Sequence, residues 1–126
     1  LFESALKVED LPGDPMINIG CAYTRFAAEQ PCLFTHLFML NKDDPLYPFL
    51  NEEERHDLVE REAAYLNLPL EYATRVYVQM SIYIHGLAAV RAAHKASFTP
   101  ERMETLIREA HKLTVDAVKL HMEQGI

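Results

Sequence analysis

Along the chain, apolar residues return every three or four positions, and no stretch alternates strictly as a half-buried strand does. The breaks between these stretches carry helix start and stop signals. Residues 2–8 read as the end of a helix, and residues 11–13 as a loop. Asp14 followed by Pro15 supplies an N-cap oxygen and a residue suited to the first helical position. A helix is predicted from there through Ile17, Cys21 and Phe26 to about Glu29. Pro31 lacks an N–H and crowds the preceding turn, so this helix ends near Gln30, and a short one follows over 31–40. Pro45 and Pro48 make 41–49 a loop. Asn51 and Glu54 have the spacing of a capping box and open a helix to about Leu66. Its apolar positions, Leu58, Val59, Ala63 and Leu66, are few enough to leave one face wet.

After a connector at 67–69, a long helix is predicted over 70–96, with Ala73, Tyr77, Met80, Ile84, Leu87 and Val90 on one stripe. Thr99, Pro100 and Glu101 open the last helix, which runs to about Glu123 with Gly125 beyond it. Met103, Leu106, Ala110, Leu113, Ala117 and Leu120 step by three and four, the seam of a helix–helix packing, and Ile107 and Val118 widen it. The expected fold is all-α: one domain over 1–126, a bundle of about five to six helices whose last two form a long antiparallel pair.

Charge narrows the function classes. The net charge is −7, and the 12 basic residues are scattered without two in succession. A surface that neutralises phosphates needs clustered Lys and Arg, so this segment is not expected to touch nucleic acid itself. No apolar run approaches the roughly 20 residues of a membrane span. Two cysteines, Cys21 and Cys32, are read as reduced, buried thiols of a cytoplasmic protein.

Catalytic motifs are absent: no glycine-rich phosphate loop, nucleophile elbow, CxxC or HExxH occurs, and no enzyme activity is expected. Cys32 and His36 stand four apart, where a helix would let them meet, but a buried thiol beside an unrelated histidine is the plainer reading. A di-metal bundle needs two Glu-x-x-His pairs, and only Glu53 with His56 has that spacing. No metal site and no cofactor are therefore expected. Of the six histidines most fall on polar faces, whereas His85 sits in an apolar stretch beside Gly86.

Two interaction surfaces are expected. Glycine inside a helix costs about 0.5–1 kcal/mol relative to alanine, so Gly86 suggests the close approach of another backbone. Gly86, Ala89 and Ala93, with Met103, Leu106, Ala110, Leu113, Ala117 and Leu120, are the candidate interface of a homodimer in which the last two helices meet their copies. Tyr23, Phe26, Phe34, Phe38, Tyr77, Met80, Tyr83 and His85 are the candidate lining of an apolar ligand cavity between the interrupted helix and the long one. Met39 adds to its apolar wall, and Thr24, Thr35 and Gln79 supply polar tips. A filled aromatic core is the competing reading of the same residues.

The order of these elements resembles the C-terminal domains of TetR-family transcriptional regulators. The similarity lies in Ala22-Tyr23-Thr24-Arg25-Phe26-Ala27, then Gln30-Pro31, then Leu33-Phe34 and Leu37-Phe38, and in the downstream His85-Gly86-Leu87-Ala88. The closest subtype carries a tryptophan beside its His-Gly pair, and this chain has no tryptophan. The resemblance implies the regulatory core of a homodimeric repressor that binds a small apolar or aromatic effector. Operator DNA would be held by N-terminal helix-turn-helix heads absent from this chain, with residues 1–10 as the tail of the connecting helix. The alternative on the same sequence is a stand-alone helical dimer that binds a small molecule or acts as a scaffold.

Overall fold

The structure is a computed structural model that describes residues 11–38, 50–93 and 98–126, with the backbone alone at 37 and 38. The described residues form five α-helices and no strand. They are α1 (Pro15–Glu29), α2 (Pro31–Phe38), α3 (Glu52–Leu66), α4 (Leu70–Ala93) and α5 (Pro100–Glu123). The expected helix end at 2–8, the loop at 41–49 and the stretch 94–96 lie outside the described residues.

The helix boundaries follow the capping chemistry. Asp14 Oδ1 accepts from the Met16 and Ile17 amides at 2.8 and 3.1 Å, and Pro15 takes the first helical position. At the far end, the Gln30 amide donates to the Phe26 carbonyl while the Gln30 carbonyl accepts from the Phe34 amide. One residue thus ends α1 and begins α2, with Pro31 next to it. Asn51 and Glu54 form the expected reciprocal capping box on α3. That helix closes at Asn67, which takes the left-handed conformation (φ 55°) as the Leu68 amide reaches back to the Ala63 carbonyl. Thr99 caps α5, and Gly125 (φ 75°) closes it with the Ile126 amide on the His121 carbonyl.

Helix α1 is the spine. It packs against each of the other four helices, most extensively against α4, while α4 and α5 pair along their lengths. The N-terminal half of α4 shares a cleft with the C-terminal half of α5, so the pair is antiparallel. The helices cross closely at Gly20: a Cβ there would stand 2.7 Å from Ile84 Cδ1 and 3.5 Å from Ile107 Cγ2. Met16, Tyr23, Ala27, Val76, Met80, Ile84, Met103 and Ile107 fill the space around this crossing.

The inward face of α5 differs from the expected seam. Met103, Ile107, His111, Val115 and Val118 are buried, whereas Leu113, Ala117 and Leu120 are exposed. Val90 is likewise exposed, so the buried stripe of α4 runs through Ala73, Val76, Tyr77, Met80, Ser81, Ile84, Leu87 and Ala88. Among the described residues no helix is long and apolar enough to cross a membrane.

Candidate functional site

The aromatic residues picked out for a ligand cavity separate into two groups. Tyr23 of α1, Phe34 of α2 and His85 of α4 come together. The Tyr23 hydroxyl lies 2.6 Å from His85 Nδ1. The Tyr23 and Phe34 rings meet edge to face, with centroids 5.7 Å apart, and Phe34 stands 5.8 Å from the His85 ring. Phe26, Tyr77 and Met80 are buried in the same core. Tyr83 is partly exposed and turns the other way: burial and the Glu109 carboxylate of α5 raise its phenol pKa. The Phe38 side chain and Met39 lie outside the described residues.

The expected polar tips do not line this cluster. Thr24 is buried but bonds back to the Gly20 and Cys21 carbonyls, and Thr35 bonds back to Pro31. Gln79 borders a cleft of about 580 Å³ between α4 and α5, with Thr74, Val78, Leu113, Thr114 and Ala117. A cleft of about 730 Å³ opens between α3 and α4, and of the seven cavity candidates whose side chains are described Tyr77 alone reaches it.

The candidate interface residues are placed more uniformly. Gly86, Ala93, Leu113, Ala117 and Leu120 are exposed, and Ala89, Leu106 and Ala110 are half-buried. Met103 is the exception: it is buried against α1 and leaves the candidate set. A Cβ at Gly86 would meet none of the described residues within 4 Å, so no close approach among them explains that glycine.

The pairings weighed and set aside for Cys32 with His36 and for Glu53 with His56 both fall at the surface. Cys32 and His36 are both exposed, so Cys32 is not the buried thiol expected. Cys21 is half-buried, and burial pushes its thiol further from ionisation. Glu53 and His56 lie on the wet face of α3, where His56 pairs with Glu60 at 2.7 Å.

A polar cluster not foreseen from the sequence sits in the core instead. Asp14 at the start of α1, Glu62 of α3 and His111 of α5 are all buried, with Asp14 and His111 at 6% exposure and Glu62 at none. His111 Nε2 lies 2.7 Å from Glu62 Oε2 and 3.1 Å from Asp14 Oδ2. Each carboxylate divides its two oxygens. Asp14 Oδ1 caps α1 and Glu62 Oε1 accepts from the Met16 amide at 3.3 Å, while the second oxygen of each turns to His111. The positive end of α1 therefore helps hold two like charges side by side.

The three groups shift one another. For Asp14, burial acts upward, but the His111 and Glu62 side chains beside it, the His111 charge and the Ile17 amide outweigh it and hold the carboxyl below its usual value. Burial, helped by the neighbouring Asp14, lifts Glu62 to about 7. Burial alone would lower His111, yet the two carboxylates raise it to about 9. The cluster was legible in principle. Glu62 follows Leu58 by four and Val59 by three, and His111 follows Ile107 by four and precedes Val115 by four. Both are polar residues at core positions of a helical stripe.

No protein-family model, curated protein or solved structure matches this chain.

Proposed function

We propose that this chain is the effector-binding and dimerisation core of a TetR-type transcriptional repressor. The observation that carries the reading is an apolar face of the α4–α5 pair that none of the described residues covers. Leu113 is 64% exposed, Ile82 58% and Leu120 51%, with Val78 and Val90 on the same helices. A helix pair that fills the core on one side and shows a second apolar stripe on the other suits a two-fold pairing, in which four helices from two copies close over each other. Gly86, open within the chain, leaves room for a partner helix.

The Tyr23–Phe34–His85 cluster supports the effector half of the reading. It joins α1 and α2 to α4, the helix that would also carry the interface. A small apolar or aromatic molecule wedged among these rings would break the Tyr23–His85 hydrogen bond and shift α1 against α4. In the dimer that shift would alter the spacing of two DNA-binding heads, which need half-sites about one helical turn apart.

The test uses the natural gene product that contains this chain. Its coding sequence upstream of Leu1 is read, and the whole product is titrated onto DNA flanking its own gene. The expected outcome is a helix-turn-helix segment and protection of a palindromic site by a dimer. A product without such a segment, or one that binds this DNA no better than random duplex, overturns the repressor reading and leaves a helical small-molecule-binding dimer.

A further inference from the structure

We propose that Asp14, Glu62 and His111 form a binding site for one divalent transition-metal cation of the zinc class. The three residues come from separate parts of the chain, on α1, α3 and α5, and each offers one ligand atom to a common point. Those atoms lie within 4.8 Å of one another. Two carboxylate oxygens and an imidazole nitrogen are a donor set used for zinc. Magnesium and calcium prefer more oxygens and retain water, and a buried imidazole suits them poorly.

Asp14 Oδ2 is the observation that points to a missing ligand. His111 Nε2 carries at most one hydrogen, and the short contact to Glu62 takes it. Asp14 Oδ2 is buried and aimed into the cluster, where it has the 3.1 Å charge contact with His111 but no hydrogen-bond donor of its own. A buried acceptor without a donor is costly, and a cation bound directly to it would meet it more fully than the imidazole it shares with Glu62. Charge agrees with this. Two carboxylates, a neutral imidazole and a divalent ion sum to zero, so a bound ion leaves no net charge in the core.

The distances also suit an ion. Metal–ligand bonds of about 2.0–2.2 Å in a tetrahedron hold donors roughly 3.3 Å apart. On that spacing the 3.1 Å contact needs to open by about 0.2 Å and the 2.7 Å contact by about 0.6 Å. The second carboxylate oxygens already bond the α1 amides, which fixes both carboxylates for ligation. Residues 11–13, immediately before Asp14, are exposed, so one ligand stands at the edge of a surface turn. Three donors leave the fourth position of a tetrahedral ion to water or a small anion.

The proposal is tested on the chain purified in chelator, dialysed and loaded with zinc ion. Metal analysis after desalting should give one zinc per chain, and thermal unfolding at about hundredfold excess over Kd should shift upward by roughly 10 °C. Magnesium should give no shift. Asp14→Asn is the deciding variant, because asparagine caps a helix as well as aspartate does and the fold should survive. It should weaken zinc binding at least about tenfold, since losing a ligand exceeds the loss of an outer partner. Cobalt in place of zinc should give the visible absorption of a four-coordinate ion in the wild type and lose it in Asp14→Asn. Wild-type protein that retains no zinc, or Asp14→Asn that binds as tightly as wild type, overturns the proposal. The second outcome would assign the metal to exposed histidines such as His56. Neither readout depends on whether the chain serves a repressor.

Discussion

Asp14, Glu62 and His111 tie the stability of the metal-free protein to pH, and the signs follow from their separate shifts. Asp14 is held below its ordinary value, so its contribution is present above about pH 4 and is lost as pH falls through the lowered value. Glu62 moves from 4.5 up to about 7, so the unfolded chain sheds that proton first and stability drops as pH rises across this interval. His111 moves from 6.5 up to about 9, and its contribution is complete below 6.5 and lost as pH rises through 9. Both upper limbs point the same way. Urea unfolding in chelator should therefore give a stability maximum near pH 4–5 and a continuous decline to pH 9. A maximum at neutral pH would contradict this assignment. Glu62→Gln keeps a hydrogen-bonding group without the charge; it should remove the limb between pH 5 and 7 and shrink, without abolishing, the one above it, because Asp14 still faces His111. His111→Leu strands two buried carboxylates and should cost about 3–5 kcal/mol at neutral pH.

At the scale of the helices, every start that the sequence marks with a cap is where the structure puts one: Asp14 with Pro15, Asn51 with Glu54, and Thr99 with Pro100. These signals act within one turn, so no tertiary information is needed to read them. The inward face of α5 was not readable in the same way. The helix carries two apolar stripes, one through Leu106, Leu113 and Leu120 and one through Ile107, Val115 and Val118, and period alone ranks them equally. What decides is the close crossing at Gly20, which admits Ile84 and Ile107 against α1. His111 goes inward with that stripe, which is why reading the histidines as surface residues missed the polar cluster. Gly20→Val should accordingly be destabilising by about 1–3 kcal/mol in chemical denaturation, because its Cβ starts within 2.7 Å of Ile84. Gly86→Ala is the opposite case. With open space around it, alanine should stabilise the isolated chain by up to about 1 kcal/mol through helix propensity.

For the whole molecule, the two glycines separate packing within a chain from packing between chains. Gly20 lies at an internal crossing, whereas Gly86 faces outward beside Ile82 and Val90 on a helix whose other side is already filled. If a second copy covers this face, the gain from Gly86→Ala in the monomer is opposed by a weaker dimer, and the variant should dissociate at higher concentration than wild type. A sharper perturbation is Ile82→Glu with Leu113→Glu. Both side chains are mostly exposed, so the charges cost the single chain little, but burial of four like charges across a two-fold interface would cost several kcal/mol. Sedimentation equilibrium should show wild-type dimer and double-variant monomer at the same micromolar concentration, with unchanged helical circular dichroism. Thermal stability of the wild type should rise with protein concentration, and that of the double variant should not. A wild type that sediments as a monomer with concentration-independent unfolding would mean that the α4–α5 face meets something other than its own copy, and the repressor reading would lose its main support.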